Sequence, residues 1–396
     1  MLFETLLALI TGILFGTFTG LIPGIHINLI GAFLISLSTS VFYQINPIYL
    51  VVFISSMAIT HTFLDFIPSI LLGCPDTDTE LSVLPGHELL KQGHGYEAII
   101  LTAYGSVAAI ILLILIAFPS VLLISNTYYS IKNLIPYFLI LISIILICLE
   151  KQKIKSIFVF LLTGLLGLAV LNLQMNQPLL PLLTGLFGSS MLITSIKNKV
   201  KIPEQKIPKK IKTNILRPLL GALIASPLCS FLPGLGSGQA AIIGNTISRT
   251  DRKGFLVLLG ATNTLVMGFS FLSLYTISKT RTGAAVAIQQ ILGTLSYKTL
   301  ILILIVSLTS GIISFFLTIF LAKNISKKLN RFNYTFISSL TLITLIIIIL
   351  LVSGIIGLFV LITSTLTGIY CISLKVRRTN MMGCLLLPVI LFFTVF

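Results

Sequence analysis

The 396-residue chain is poor in charge. Lys, Arg, Asp and Glu make up only 9% of it, and 56% is hydrophobic. An average soluble domain carries about 25% charged residues, so this composition excludes an ordinary soluble fold and points to an integral membrane protein. Acids are scarcest, with ten Asp and Glu against 26 Lys and Arg, for a formal net charge of +16. The basic residues fall in short loops between apolar runs, as in cytoplasmic loops, which accounts for the charge without a nucleic-acid partner. The five cysteines, Cys74, Cys148, Cys229, Cys371 and Cys384, are scattered without metal or redox spacing. Four of them lie in apolar runs and read as small core or lipid-facing residues. No His-Glu-x-x-His pattern, Gly-x-Ser-x-Gly elbow or nucleotide-binding loop occurs, which argues against an intramembrane enzyme. Short alternating segments of the barrel type are also absent, so the spans are helical. Glu4 stands where a signal peptide would carry positive charge, and no cleavable signal peptide is expected.

What is present is a series of apolar runs, several longer than the roughly 20 residues that cross a bilayer. The first, 5–22, ends at Pro23-Gly24, and only a short run, 29–41, follows. Pro and Gly interrupt helical hydrogen bonding, so a re-entrant or discontinuous helix is expected there. The run 48–73 gathers Ser55, Ser56, Thr60, His61, Thr62 and Asp65, with a kink expected at Pro68. It opens a polar stretch, 61–97, that holds six of the ten acids and three of the four histidines. Further spans are expected at 98–125, 134–149, 156–172 and 178–195, with a loop at 126–133. The second half begins with 218–232 and a second break, Pro233-Gly234, and continues with 254–276, a long run broken near Tyr297-Lys298, and spans near 334–352, 355–374 and 381–396.

Three pairs of short matches run in the same order in both halves. Pro23-Gly24 and Pro233-Gly234 are 210 residues apart, Leu71-Leu72-Gly73 and Leu258-Leu259-Gly260 are 187 apart, and Gly95 and Gly283 are 188 apart. Setting the basic loops at 151–155, 197–217, 249–253, 323–331 and 375–378 inside fixes the rest of the topology. Residues 74–96 then lie inside; 126–133, 277–283 and the N-terminus lie outside. The two units take opposite orientations, the arrangement of many secondary transporters. The expectation is therefore an all-α polytopic membrane protein of two inverted-topology repeats, 1–196 and 218–396, joined by a basic cytoplasmic linker, 197–217. Its Pro-Gly-broken helices would meet near the midplane.

Each break starts a short helix whose first turn is small or polar: Gly24, His26 and Asn28 in one, Gly234, Gly236, Ser237, Gly238 and Gln239 in the other. Helix N-termini present free N–H groups and partial positive charge, suited to a carboxylate or phosphate. The alternative is that Pro23 and Pro233 only relieve packing in kinked helices. His61 and Asp65, four apart, share a helix face, and an acid deep in a membrane segment reads by default as functional. Asp65 is suited to carry a proton or to coordinate sodium, or else to cap the kink at Pro68. Asp76 and Asp78, after the hinge-like Pro75, suit an ion entrance or a helix cap. His87, Glu88 and His94 read as solvated or structural loop residues. Asn263 and Thr264, taken as counterparts of Asp76 and Thr77, would complete the site as neutral donors. No cofactor or resident metal is expected; the ion would be transported Na+ or H+.

Four stretches carry a family resemblance: Gly20-Leu-Ile-Pro-Gly24, Ile67-Pro-Ser-Ile-Leu-Leu-Gly-Cys-Pro75, Leu84-Pro-Gly-His-Glu-Leu-Leu-Lys-Gln-Gly93 and Phe231-Leu-Pro-Gly-Leu-Gly236. They resemble the large membrane subunit of tripartite tricarboxylate transporters, the TctA family, and more closely its shorter archaeal branch. The sequence has Pro75-Asp76 and Pro85-Gly86 where the family has Pro-Gly and Asp-Gly. The resemblance implies a secondary carboxylate transporter driven by an ion gradient, working with a small membrane subunit and an extracytoplasmic binding protein. A polyprenyl-phosphate or other anionic lipid translocase is the alternative, because such proteins also use paired Pro-Gly re-entrant segments.

Overall fold

The structure is a computed structural model. It describes residues 2–22, 46–73, 79–131, 134–148, 150–197, 203–208, 210–231, 236–280, 282–329 and 334–395. These residues are helical throughout, with no strand among them. Helix α1 is Leu2–Leu21, α2 Pro47–Leu64, α3 Phe66–Leu72, α4 Val83–Lys91, α5 Gly95–Ile131, α6 Ile135–Cys148, α7 Lys153–Leu171, α8 Leu179–Leu183 and α9 Ser190–Lys197. In the second half, α10 is Leu216–Phe231, α11 Ser237–Ser248, α12 Arg252–Ile277, α13 Gly283–Leu292, α14 Tyr297–Lys328, α15 Tyr334–Ser373 and α16 Gly383–Val395. Among the described residues, seven helical stretches are long and apolar enough to cross a membrane by length and composition.

Two of these stretches are central. Residues 47–72 and α12 are 94% buried over their most apolar window, whereas α1 is 22% buried there. Leu7, Leu14 and Phe18 of α1 are exposed, as a lipid-facing surface requires. The other face of α1 carries Gly12, Gly16 and Gly20, which meet Ser56, Met57 and Leu64 in turn along α2. Both registers increase together, so α1 and α2 run parallel. In the second half Pro218 approaches Gly254, and Ser230 bonds Ser273 at 3.2 Å, so α10 and α12 also run parallel.

The order and lengths of elements repeat. Among the described residues, a long buried helical stretch, a short helix and a very long helix occur as α2–α3, α4 and α5 and again as α12, α13 and α14. The long-range packing is pseudo-symmetric in the same sense. The α5 of the first half packs on α12 of the second, where Ser106 Oγ donates to Gly260 O at 3.0 Å. The α14 of the second half packs on α2 of the first, where Ser314 Oγ donates to Thr60 Oγ1 at 2.9 Å. At the α5–α12 crossing the backbones nearly touch. A Cβ on Gly105 would overlap Val257 O, and one on Gly260 would overlap Thr102 O. Small residues allow such approach where apolar burial supplies no drive between helices.

The matches at 187 and 188 fall on unlike elements: Leu71–Gly73 ends α3 while Leu258–Gly260 lies early in α12, and Gly95 starts a long helix while Gly283 starts a short one.

Contacts define two ends. At the first, Gly73 lies beside His87, Glu97 pairs with Lys253, and the Lys328 end of α14 lines a cavity with Leu72. At the second, Lys279 lies 5.5 Å over the Tyr128 ring and Tyr275 stacks near Tyr297. Residues 47–72 therefore run toward the first end and α12 runs away from it. The α10–α11 pair enters and leaves by the first end, since Gly221 and Gly244 abut while Pro218 and Asn245 both lie near the Thr250–Gly254 turn. Residues 126–131 continue α5 rather than forming a loop, despite Pro119 within the helix.

The remaining helices form a second group, with α6 to α9 packed on α15 and α16. Ser156 Oγ donates to Asn380 Oδ1 at 2.8 Å across it. Gly354, at φ 66°, divides α15, and Ile349 and Leu361 on either side share one cluster around Leu180. The chain therefore doubles back there, matching spans at 334–352 and 355–374. The expected span 178–195 contains a π-helical turn, Thr184–Ser189.

Candidate functional site

The α2 helix ends at Leu64 and α3 begins at Phe66, with Asp65 as a buried joint between them. Pro68 has no N–H for the Leu64 carbonyl, so the ladder breaks three residues before the proline. The Asp65 N–H still bonds His61 O at 3.0 Å, and Ser69 Oγ donates to Asp65 O at 2.8 Å. Gly73 then closes α3 in the left-handed conformation at φ 70°.

The joint faces α12. Asn263 Nδ2 donates to Asp65 Oδ2 at 2.7 Å and lies 3.5 Å from Thr62 O, while Thr62 and Thr264 hydroxyls meet at 3.3 Å. One turn back, His61 Nδ1 lies 3.1 Å from Thr19 Oγ1 of α1. Ser69 Oγ and Thr79 Oγ1 meet at 2.6 Å. All of these side chains are buried. A carboxylate, a carbonyl and two hydroxyls thus converge in a low-dielectric interior, a set of hard oxygen donors suited to a hard cation or to a proton.

The start of α11 is the second feature. Ser237 and Gln239 are each 1% exposed. The Gly236 N–H donates to Gln239 Oε1 at 2.6 Å, and Ala240 N donates to Gly236 O at 3.0 Å. This bond turns the Gln239 carbonyl toward the backbone and leaves its Nε2 buried without a hydrogen-bond partner among the described residues. Ala241, one turn on, packs in the same buried cluster as Phe66 and Ile67 of α3.

The sequence grouped His61, Asp65, Pro68, Asn263, Thr264 and residues 236–239, and the fold brings Asp65 together with Asn263, and Thr62 with Thr264. Pro23, Gly24, His26, Asn28, Pro75, Asp76, Asp78, Pro233 and Gly234 lie outside the described residues. Sequence reasoning missed Thr19, Ser69, Thr79 and Ser314, single hydroxyls with no local pattern. His87 and Glu88 sit on α4 rather than in a loop. His87 is buried and its Nδ1 donates to Ile70 O at 3.3 Å, so it is structural and not solvated. Burial pushes its imidazole down to about 4. Glu88 pairs with Arg252 at 2.9 Å, and Glu97 bridges His94 and Lys253. Among the described residues no group of three or more His, Cys, Asp or Glu is placed to hold a metal.

Long apolar helices packed around a buried acid and amide, at the crossing of two central helices, define a polytopic helical membrane protein. Residues 6–383 match the tripartite tricarboxylate transporter TctA family, and the chain belongs to that family. It is also similar to the uncharacterized protein MJ1079 of Methanocaldococcus jannaschii, 33% identical over 400 residues that cover 98% of each chain. No solved structure matches the chain.

Proposed function

We propose that this protein is a secondary active transporter that moves a small organic anion, a di- or tricarboxylate, across the cell membrane, coupled to a sodium or proton gradient. The observation that carries the reading is the buried Asp65–Asn263 contact, which joins the two halves at the joint of a broken helix. Asp65 is the coupling group, with His61 beside it and Asp76 and Asp78 assigned to the same ion path. Asn263 and Thr264 serve the ion side, since they address Asp65 and Thr62. The anion is held by the two Pro-Gly helix starts: Gly24, His26 and Asn28 on one side, Gly234, Gly236, Ser237, Gly238 and Gln239 on the other. The Gln239 Nε2 donor is the most direct of these contacts. Pro23, Pro68, Pro75 and Pro233 act as hinges.

The halves are inverted-topology repeats. Supporting this, equivalent helices α2–α3 and α12 run in opposite directions, and α10–α11 enters and leaves by one end. That end carries the basic turns 249–253 and 375–378, so it is cytoplasmic and the N-terminus is outside. The linker joins it, with Gln205 accepting from Gly95 N at 2.7 Å. In keeping with the family's tripartite name, a small membrane subunit and an extracytoplasmic binding protein are the proposed partners.

One observation favours a second reading, translocation of a polyprenyl-phosphate or other anionic lipid. An apolar cavity of about 390 Å³ lies beside Ile67 and Pro68, with Lys328 at its edge. Counterflow of labelled di- and tricarboxylates in proteoliposomes separates the two. Exchange of a carboxylate is expected; no exchange, together with lipid-phosphate movement, selects the lipid reading.

A further inference from the structure

At the first end of the molecule four acids are engaged. Glu88 pairs with Arg252 at 2.9 Å, Glu97 with Lys253 and His94, and Glu150 with Arg377 at 3.3 Å. Asp251 caps α12, its Oδ1 accepting from Gly254 N at 2.8 Å.

Arg378 stands apart. Its Nη2 donates to Met191 Sδ at 2.9 Å, and among the described residues it has no carboxylate partner. A guanidinium has five N–H donors, and a thioether is a weak acceptor for one. Burial pushes Arg378 down only to about 10, so it stays cationic at neutral pH. The side chain lines a cavity of about 460 Å³, within the range of roughly 300–1,000 Å³ for small-molecule sites. Glu88 of the first half and Asn245, Thr250, Arg252 and Arg377 of the second contribute to its walls. Of the three lining cations, Arg252 is paired with Glu88 and Arg377 with Glu150, which leaves Arg378 as the one without a carboxylate partner among the described residues.

The cavity also abuts the candidate anion site along one element. Helix α11 begins at Ser237 and lines the cavity with Ile242 and Asn245. Asn245 lies six positions beyond Gln239, about 9 Å at 1.5 Å per residue.

We infer that this cavity is a carboxylate-binding site at the inner mouth of the transport path, with Arg378 as its anchoring cation. Its location on that path rests on the transporter reading above. The planar fork of a guanidinium matches a carboxylate through two parallel hydrogen bonds, which a lysine does not reproduce. Asn245 and Thr250 supply polar groups on the facing wall. The site would load or release the anion at the end of α11 opposite the Gly236–Gln239 turn.

The chain has no tryptophan, and Phe255 lines the cavity, so Phe255→Trp provides a single reporter. Ile242→Trp, on the facing wall, is a second. Titrating each purified variant with citrate and with succinate at constant ionic strength is expected to give a saturable fluorescence change. Adding Arg378→Gln should weaken it at least tenfold, and Arg378→Lys should restore part of it. No saturable change at either reporter, or one that Arg378→Gln leaves unaltered, overturns the inference. So does a response to inorganic phosphate with none to either carboxylate. Counterflow of the same carboxylates by the parent chain is measured alongside. Failed exchange with an intact Arg378-dependent titration overturns the transport reading and leaves the cavity a carboxylate site. Exchange without that titration overturns the cavity assignment alone.

Discussion

The Asn263 amide donates to Asp65 Oδ2 at 2.7 Å across 198 residues of chain. Each residue sits on the most buried helical stretch of its half. The amide gives the carboxyl a hydrogen bond and adds no charge of its own. Asn263→Ala should remove a hydrogen bond to a charged group, worth about 1.5–3 kcal/mol. The expected outcome is a folded protein with weakened coupling ion dependence, read as a rise in the cation concentration, or a shift in the pH, that gives half-maximal uptake. Unchanged ion dependence removes Asn263 from the ion site.

Gln239 should act on the anion instead. Its Oε1 is committed to Gly236 N while Nε2 is buried. Losing a charge-assisted bond of about 1.5–3 kcal/mol corresponds to roughly a ten- to hundredfold loss of affinity. Gln239→Ala should raise the KM for the carboxylate by that factor and leave the ion dependence unaltered. Equal KM values for variant and parent contradict the assignment.

His87 predicts a pH dependence of stability. Its folded imidazole is held at about 4, against the ordinary 6.5, because burial disfavours the charged form. The folded state then binds fewer protons than the unfolded state between those values. The contribution is complete above about pH 6.5 and is lost as pH falls toward 4, amounting to about 3 kcal/mol. Thermal unfolding in detergent should show Tm falling through that window. His87→Asn, which keeps a donor for Ile70 O, should flatten the decline.

The α5–α12 crossing should not tolerate a methyl group. A Cβ on Gly260 would overlap the Thr102 carbonyl, a backbone atom that cannot swing aside. Gly260→Ala should destabilise by about 1–3 kcal/mol, seen as a lower Tm. Phe18→Ala on the lipid-facing side of α1 should change stability by less than about 0.5 kcal/mol.

The helical class and most span positions were legible because hydrocarbon runs and punctuating Pro, Gly and Lys are local signals. Asp65 was legible for the same reason, as an acid in an apolar run. Asn263 was also named from the sequence, as a neutral donor of the site; that it donates to Asp65 follows only from the crossing of α2 with α12. The Leu-Leu-Gly and Gly matches fall on unlike elements, since such short strings recur by chance in a Leu-rich chain, whereas helix order and length are set by packing. His87 read as a solvated or structural loop residue; the segment is α4, Pro85-Gly86 included, and the histidine joins its buried face. Arg378 gave no sequence signal, since one arginine in a basic turn is indistinguishable from its neighbours until the salt bridges are seen.

Coupling through Asp65 is the central claim, and Asp65→Asn tests it most directly in proteoliposomes under an imposed sodium or proton gradient. The parent should accumulate labelled di- or tricarboxylate above equilibrium. The variant, eluting and unfolding as the parent does, should show no gradient-driven accumulation. Accumulation by Asp65→Asn at the parental rate and extent would contradict the account.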